Sequence, residues 1–290
     1  MDLGLREKVV CITGGSRGIG FATARIFACE GASVVICGRD ADRLSDAAAR
    51  IVREGGERID TVRADVTDSQ SIDGLIAHIR DRFGRLDILV NNAGTGIYKP
   101  FQEVTDEDLL TGMAINFFAQ FRVTQRALPL LRAASGAAVI NVSGRTALRG
   151  NFPPGSSCTG PAKAAEVRFS IDLATELAEF GIRVNCVVPG VVESEDRFKL
   201  WETEAMDGAV DATESERLRR TLEKSSMAAG KRWGQPEQIA DVIAFLASDR
   251  AAYVNGAALT VDGGPHNKSY VTELHAKRHA LARSTPNTMS

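Results

Sequence analysis

Short apolar runs alternate with helix-patterned segments along most of the chain, and this alternation restricts the fold more than any other feature. "KVVCIT" (8–13), "SVVIC" (33–37), "LDILV" (86–90), "AAVINV" (137–142), "IRVNCVV" (182–188) and "ALTV" (258–261) have the length and β-branched content of buried parallel strands. "ERIDTVRA" (57–64) is a weaker seventh. Between them, Ile72, Leu75, Ile76, Ile79 and Phe83 keep helical spacing, as do Val167, Ile171, Ala174 and Leu177. Thr105 with Asp108 reads as a capping box opening another helix. The pattern implies an α/β fold: a doubly wound, seven-stranded parallel sheet with right-handed crossovers and helices on both faces. The absence of internal repeats and low-complexity linkers points to one domain over residues 1–264. Residues 191–232 are a charged insertion within it, and residues 265–290 an extension.

Composition narrows the partners. With 44% hydrophobic residues in 290, the chain can bury a full core. A formal net charge of −2 offers no basic field for nucleic acid or an anionic membrane. No run approaches 18 apolar residues, and the start lacks a signal-like apolar stretch, so a cytoplasmic protein is expected. Cys11, Cys37 and Cys186 lie in strand-like runs and read as buried hydrophobes; disulfides are not expected.

The first strand runs into "TGGSRGIG" (13–20), after which a helix begins. Gly14, Gly18 and Gly20 permit a tight turn and let backbone N–H groups approach a pyrophosphate at the helix N-terminus. Gly14, Ser16, Arg17, Gly18, Ile19 and Gly20 are therefore candidate dinucleotide-binding residues.

That turn, together with "ADV" (64–66), "NNAG" (91–94), Asn116 in "AINFFAQ", "RVNCVVPG" (183–190) and the stretch 231–264, resembles the short-chain dehydrogenase/reductase family over about residues 5–264. The resemblance implies a Rossmann fold, a nicotinamide cofactor and a small-molecule substrate. It implies that Asp65 and Val66 contact the adenine and that Asn92, Ala93 and Gly94 line the cofactor channel. Pro189, Gly190 and Val192 would pass the nicotinamide, with Ser194 in place of the usual threonine near the carboxamide. It also implies a homo-oligomer, a tetramer or dimer, paired through helices at 105–132 and 157–179. NADP(H) is expected over NAD(H), because "ICGRD" places Arg39 after strand two, where Arg17 can also reach; two guanidinium groups suit a 2′-phosphate.

The family pattern for carbonyl reduction is Asn, Ser, Tyr and Lys, in which the resemblance implies that the Tyr donates the proton and the Lys, here Lys163, lowers the Tyr pKa and holds the nicotinamide ribose. Asn116 and Lys163 match it, but Thr159 stands at the Tyr position. In "NVSGRTALRG" (141–150) the register puts Ser143 before the usual serine position and Gly144 on it. Neighbours on a strand face opposite ways, so Ser143 need not serve. An aliphatic hydroxyl is a far weaker acid than a phenol, and its oxygen falls roughly 4 Å short of where a Tyr hydroxyl would be. Three replacements are open: water relayed through Lys163 and Asn116; Ser156, Ser157 or Cys158, which otherwise read as helix-start residues; or a different substrate. The last draws on "PAK" (161–163), similar to the "SAK" of dienoyl-CoA reductases, which deliver hydride to a conjugated alkene. The expected function is thus an NADP(H)-dependent oxidoreductase acting on a carbonyl, alcohol or activated alkene. The alternative is a redox-inactive relative serving as an isomerase, lyase, cyclase or nucleotide-binding subunit.

In the insertion, Phe198, Trp201, Met206 and Val210 suit a substrate lid. The extension places Val271, Leu274, Arg278 and Leu281 on one helical face. His275 and His279 have metal-compatible spacing but no third ligand nearby, so no metal is expected.

Overall fold

The computed structural model describes residues 2–149, 155–193 and 234–263. Ser194, most of the insertion and the 265–290 extension lie outside the described residues. All seven expected strands are present: β1 (Val9–Thr13), β2 (Ser33–Gly38), β3 (Arg58–Arg63), β4 (Ile88–Asn91), β5 (Ala138–Val142), β6 (Arg183–Pro189) and β7 (Ala258–Val261). They form one parallel sheet in the order β3-β2-β1-β4-β5-β6-β7. The helices are α1 (Gly18–Cys29), α2 (Ala41–Arg53), α3 (Ser69–Phe83), α4 (Asp106–Met113), α5 (Ala119–Ala133), α6 (Thr159–Glu176) and α7 (Pro236–Ala247).

Strand residues supply both cores by alternation. Val10 and Ile12 of β1 face one layer with Phe27 of α1, Leu44 of α2 and Ile243 of α7. Val9 and Cys11 face the other, with Ile72 and Leu75 of α3 and Val123 and Leu131 of α5. The sheet is therefore covered on both faces, as a parallel sheet with near-continuous apolar strands requires. Cys11, Cys37 and Cys186 are buried and all five cysteines are free.

Local signals fix the helix starts. Thr105 and Asp108 form the expected reciprocal capping box on α4. Asp68 caps α3 through the N–H groups of Gln70 and Ser71. On α6 the expected apolar face is only partly realised: Val167, Ala174 and Leu177 are buried, whereas Ile171 is 40% exposed. Its neighbour Phe169 instead joins Phe117 and Phe121, with ring centroids 5.4–6.3 Å apart. This cluster bridges α6 and the α5 side of the molecule, and Phe121 is 42% exposed.

The strand order reverses between β1 and β4, and the crevice beyond their carboxyl ends is where an open α/β sheet takes a ligand.

Candidate active site

The crevice is stitched together by Thr13 and Asn92. Thr13 Oγ1 accepts hydrogen bonds from the Asn92 and Ala93 N–H groups, both at 3.0 Å. Asn92 Nδ2 donates to the carbonyls of Thr13 (3.0 Å) and Gly14 (3.1 Å). These bonds hold "NNAG" against the glycine turn. At Gly20 a Cβ would lie 2.1 Å from the Gly14 carbonyl oxygen, so only glycine lets α1 start this close to β1. At Gly18, with φ +54°, a Cβ would meet nothing within 4 Å. The N-cap residue, Arg17, supplies no side-chain cap to α1. An open concavity at an uncapped helix N-terminus is what a pyrophosphate needs, so these residues fit the group.

Arginines gather beyond this turn. Burial pushes the Arg17 guanidinium below its ordinary value, and the charges of Arg43 and Arg39 push it the same way. Arg63 Nε donates to the Arg39 carbonyl at 3.1 Å. Asp40 spends itself elsewhere: it caps α2 through the Arg43 N–H and pairs with the Arg43 side chain at 3.2 Å. Arg43 was not singled out in the sequence; its signal was a position three residues after a helix-capping Asp. Asp65 and Val66 lie at the same edge, where the Ala64 N–H donates to the Gly38 carbonyl at 2.9 Å. Asp65 Oδ1 accepts from the Thr67 N–H and hydroxyl, and Val66 is buried.

The other half of the site is built by a break in a helix. Between α4 and α5 the chain makes a π-helical segment, Ala114–Phe118. Asn116 sits inside it, buried, with Nδ2 donating to the carbonyls of Gly112 (2.8 Å) and Thr95 (3.0 Å) and Oδ1 accepting from the Thr95 N–H (3.2 Å). A widened turn of this type is frequent at functional sites. Lys163 arrives from α6. A Cβ placed on Gly94 would lie 2.8 Å from Asn116 Oδ1 and 3.0 Å from Lys163 Nζ, so the glycine marks where the two side chains converge.

Thr159 is not part of that convergence. Its hydroxyl accepts from the Ile97 N–H at 2.7 Å and donates to the Ile97 carbonyl at 2.8 Å. The Ser143 hydroxyl donates to the Lys163 carbonyl at 2.8 Å. A Cβ on Gly144 would instead meet the Lys163 methylenes at 3.8–3.9 Å, so residue 144 is the one facing the lysine side chain. Ser156, Ser157 and Cys158 do stand at the start of α6, but only Ser157 is solvated; Ser156 and Cys158 are buried. Cys158 occupies the N-cap of α6 without a side-chain cap, and its thiol donates to the Asp108 carbonyl at 3.0 Å. Gly112, which lacks a Cβ, makes room for that sulfur. Ser156 is buried and uses its carbonyl to accept from the Gly160 N–H at 2.7 Å; Ser157 is exposed.

Glu166 escaped the sequence reading. It lies one turn after Lys163 and is fully buried, with Oε1 3.0 Å from Lys163 Nζ. Burial pushes its carboxyl above its ordinary value, and the Lys163 charge and hydrogen bonds from Lys163 and Ser143 offset that only in part. The detectable signal was the i,i+3 spacing within "KAAE".

Strand β6 ends at Pro189, and Gly190 follows it beside β7. A Cβ on Gly190 would lie 2.7 Å from the Asp262 backbone, and the Gly190 N–H donates to the Val261 carbonyl at 3.0 Å. Val192 pairs with Gly234 and packs into the core shared with α1 and α7. Among the described residues, no group of three or more His, Cys, Asp or Glu side chains could hold a metal. No described helix is long and apolar enough to cross a membrane.

Known proteins share this framework. The family model described as enoyl-(acyl carrier protein) reductase matches residues 14–266. A 3-oxoacyl-[acyl-carrier-protein] reductase from Synechocystis sp. is 35% identical over 262 residues, covering 90% of this chain and 97% of that protein. A tropinone reductase homolog from Arabidopsis thaliana is 34% identical over 261 residues, covering 90% and 91%. The solved L-sorbose reductase from Gluconobacter frateurii, complexed with NADPH and L-sorbose, superimposes with a TM-score of 0.82 at 36% identity, over 91% of this chain and 98% of its own. With the seven-stranded parallel sheet and the glycine turn at its switch point, these matches establish that the chain belongs to the short-chain dehydrogenase/reductase family.

Proposed function

We propose that the protein is an NADP(H)-dependent oxidoreductase acting on a small or medium carbonyl, alcohol or activated alkene, with an atypical proton-transfer site. The observation that carries this reading is the convergence of Asn116 Oδ1 and Lys163 Nζ on Gly94, beside the glycine turn. The concavity at Gly18 and the α1 N-terminus would hold the pyrophosphate. Arg17, Arg39 and Arg43 would take the 2′-phosphate, since an anion relieves the repulsion among clustered guanidiniums. The L-sorbose reductase was solved with NADPH, which supports the same preference.

The bound cofactor would supply or accept the hydride. Lys163 would donate hydrogen bonds to the nicotinamide ribose, as the family resemblance implies. Thr159 cannot act as a phenol would, because its one proton goes to the Ile97 carbonyl. The substrate's new negative charge would therefore be met by the Lys163 ammonium, directly or through one water held with Asn116. We further propose a homo-oligomer, with the exposed edge of the Phe117–Phe121–Phe169 cluster in the contact.

The test is absorbance of NADPH with panels of ketones, enones and acyl-thioester analogues. Substrate-dependent oxidation supports the reading. Tight NADPH binding with no oxidation on any panel favours the redox-inactive alternative.

A further inference from the structure

The buried pair of Lys163 and Glu166 does more than pack. Glu166 is fully buried on α6, next to the Val167, Cys186 and Val188 cluster between α6 and β6. A carboxylate there is costly, and a hydrophobic side chain of similar size would serve packing better. Only one of its oxygens is used in pairing with Lys163; Oε2 is buried and has no hydrogen-bond partner among the described residues. The polar side chains that meet the carboxyl are the Lys163 ammonium and the Ser143 hydroxyl, and of these only the ammonium is charged. What it does have is the ammonium of the residue that reaches Asn116 and Gly94.

We propose that Glu166 is a positioning residue that holds the Lys163 ammonium at the site, so that Lys163 supplies the proton that Thr159 cannot. This rests on the reading of Lys163 given above. In the step, an N–H bond of Lys163 Nζ breaks and an O–H bond forms at the substrate oxygen. Lys163 is left as a neutral amine beside a buried carboxylate. That arrangement carries an uncompensated buried charge, so the amine recovers its proton from solvent. Glu166 neither gives nor takes the transferred proton.

The surroundings leave this pair as the charge that matters. From β6, the Cys186 thiol is pushed up to about 12, chiefly by burial, and stays neutral. Ser143 at the end of β5, Ser170 of α6 and Asn116 of the π-helical segment contribute no charge. Arg145, on the turn packed against α6, lies in the fields of Arg149 and Asp262. Asp108 of α4 is engaged by Lys99 and Thr105.

The test uses the full-length protein and Glu166→Gln, which keeps the shape and removes the charge. Nitrogen-15 NMR of labelled lysine side chains, with the Lys163 signal identified by its loss in Lys163→Met, reads how firmly the ammonium is held, through the exchange of its protons with water, without cofactor or substrate. The expected result is an ammonium signal protected from exchange in the wild type and exchanging roughly tenfold faster or more in Glu166→Gln, because its buried partner at 3.0 Å has lost its charge. Unchanged exchange overturns the proposal, whatever happens to melting temperature. If exchange quickens but wild-type protein oxidises no NADPH, the oxidoreductase reading fails and the pairing of Glu166 with Lys163 stands on its own. Should Glu166→Gln not fold, Glu166→Gln combined with Lys163→Met must recover a folded protein that melts cooperatively; if it does not, the pairing is refuted.

Discussion

The hydroxyl of Thr159 closes a two-way hydrogen bond with the backbone of Ile97, accepting from its N–H at 2.7 Å and donating to its carbonyl at 2.8 Å. Sixty-two residues separate the partners. The position where a phenol would reach the substrate thus anchors the segment after β4. Replacing Thr159 with Val keeps the shape and strands both Ile97 groups. We expect a loss of about 1–3 kcal/mol, seen as a fall of several degrees in melting temperature. Cofactor affinity, titrated by fluorescence, should change little, because the glycine turn is untouched.

Arg39 and Arg17 should decide the cofactor. Losing a charge-assisted contact to a phosphate costs about 1.5–3 kcal/mol, so Arg39→Ala should weaken NADPH by roughly 10- to 100-fold. NADH, which has no 2′-phosphate, should be affected far less. Calorimetry with both cofactors checks this, and equal losses for the two would remove the assigned role.

Acid should loosen the same segment that Thr159 anchors. Asp108 is held down to about 2, first by the Lys99 hydrogen bond and then by the Thr105 N–H. A depressed folded-state value means that the carboxylate's contribution is complete above the ordinary range near 4 and is lost as pH falls through about 2. Melting temperature followed from pH 5 to pH 2 should therefore drop more steeply in wild type than in Asp108→Asn. Parallel curves would show that the pair is energetically silent.

The half-exposed Phe121, packed edge-on against Phe117 and tilted against Phe169, predicts an apolar contact between copies. Phe121→Asp should lower the mass seen by light scattering while leaving the far-ultraviolet spectrum intact. A wild-type monomer would end this proposal at once.

Much of this was legible in the sequence for identifiable reasons. The strands could be read because parallel strands buried on both faces are written as continuous apolar runs, as in Val9–Thr13. The glycine turn was legible because residues 14 and 20 touch within the local chain. The presence of Thr159 and Gly144 was equally plain. The destination of the Thr159 hydroxyl was not, since Ile97 is brought to it only by tertiary packing. Glu166 was missed for a related reason: as a charged residue on a helix, it reads as a solvated face until β6 closes over it. Cys158 stands at the helix start as its position suggests, but its burial was not legible, since its thiol is drawn inward to Asp108 through the gap left by Gly112.

The strongest trial of the site is to rebuild the usual family pattern. Gly144 can accept a side chain, because a Cβ there stands 3.8 Å from its nearest neighbour, the Lys163 methylenes, which is ordinary contact. Its backbone is extended, so Gly144→Ser introduces no left-handed strain. Helix α6 begins at residue 159 and carries Lys163 one turn later, so a tyrosine introduced at 159 starts from the correct helical position. That ring must displace the Ile97 backbone from its bonds with the threonine. The double variant Thr159→Tyr/Gly144→Ser should therefore melt below wild type, while Gly144→Ser alone should melt close to it. With a phenol beside Lys163, reduction of simple ketones should rise by roughly 10²–10⁴-fold, the usual contribution of a positioned acid. The native reaction should fall, because the ring fills space open to substrate or relay water. Rates on a ketone panel, read beside melting temperature and NADPH affinity, decide the matter. A folded double variant that binds NADPH and gains on no ketone would mean that the site does not present a carbonyl oxygen to residue 159.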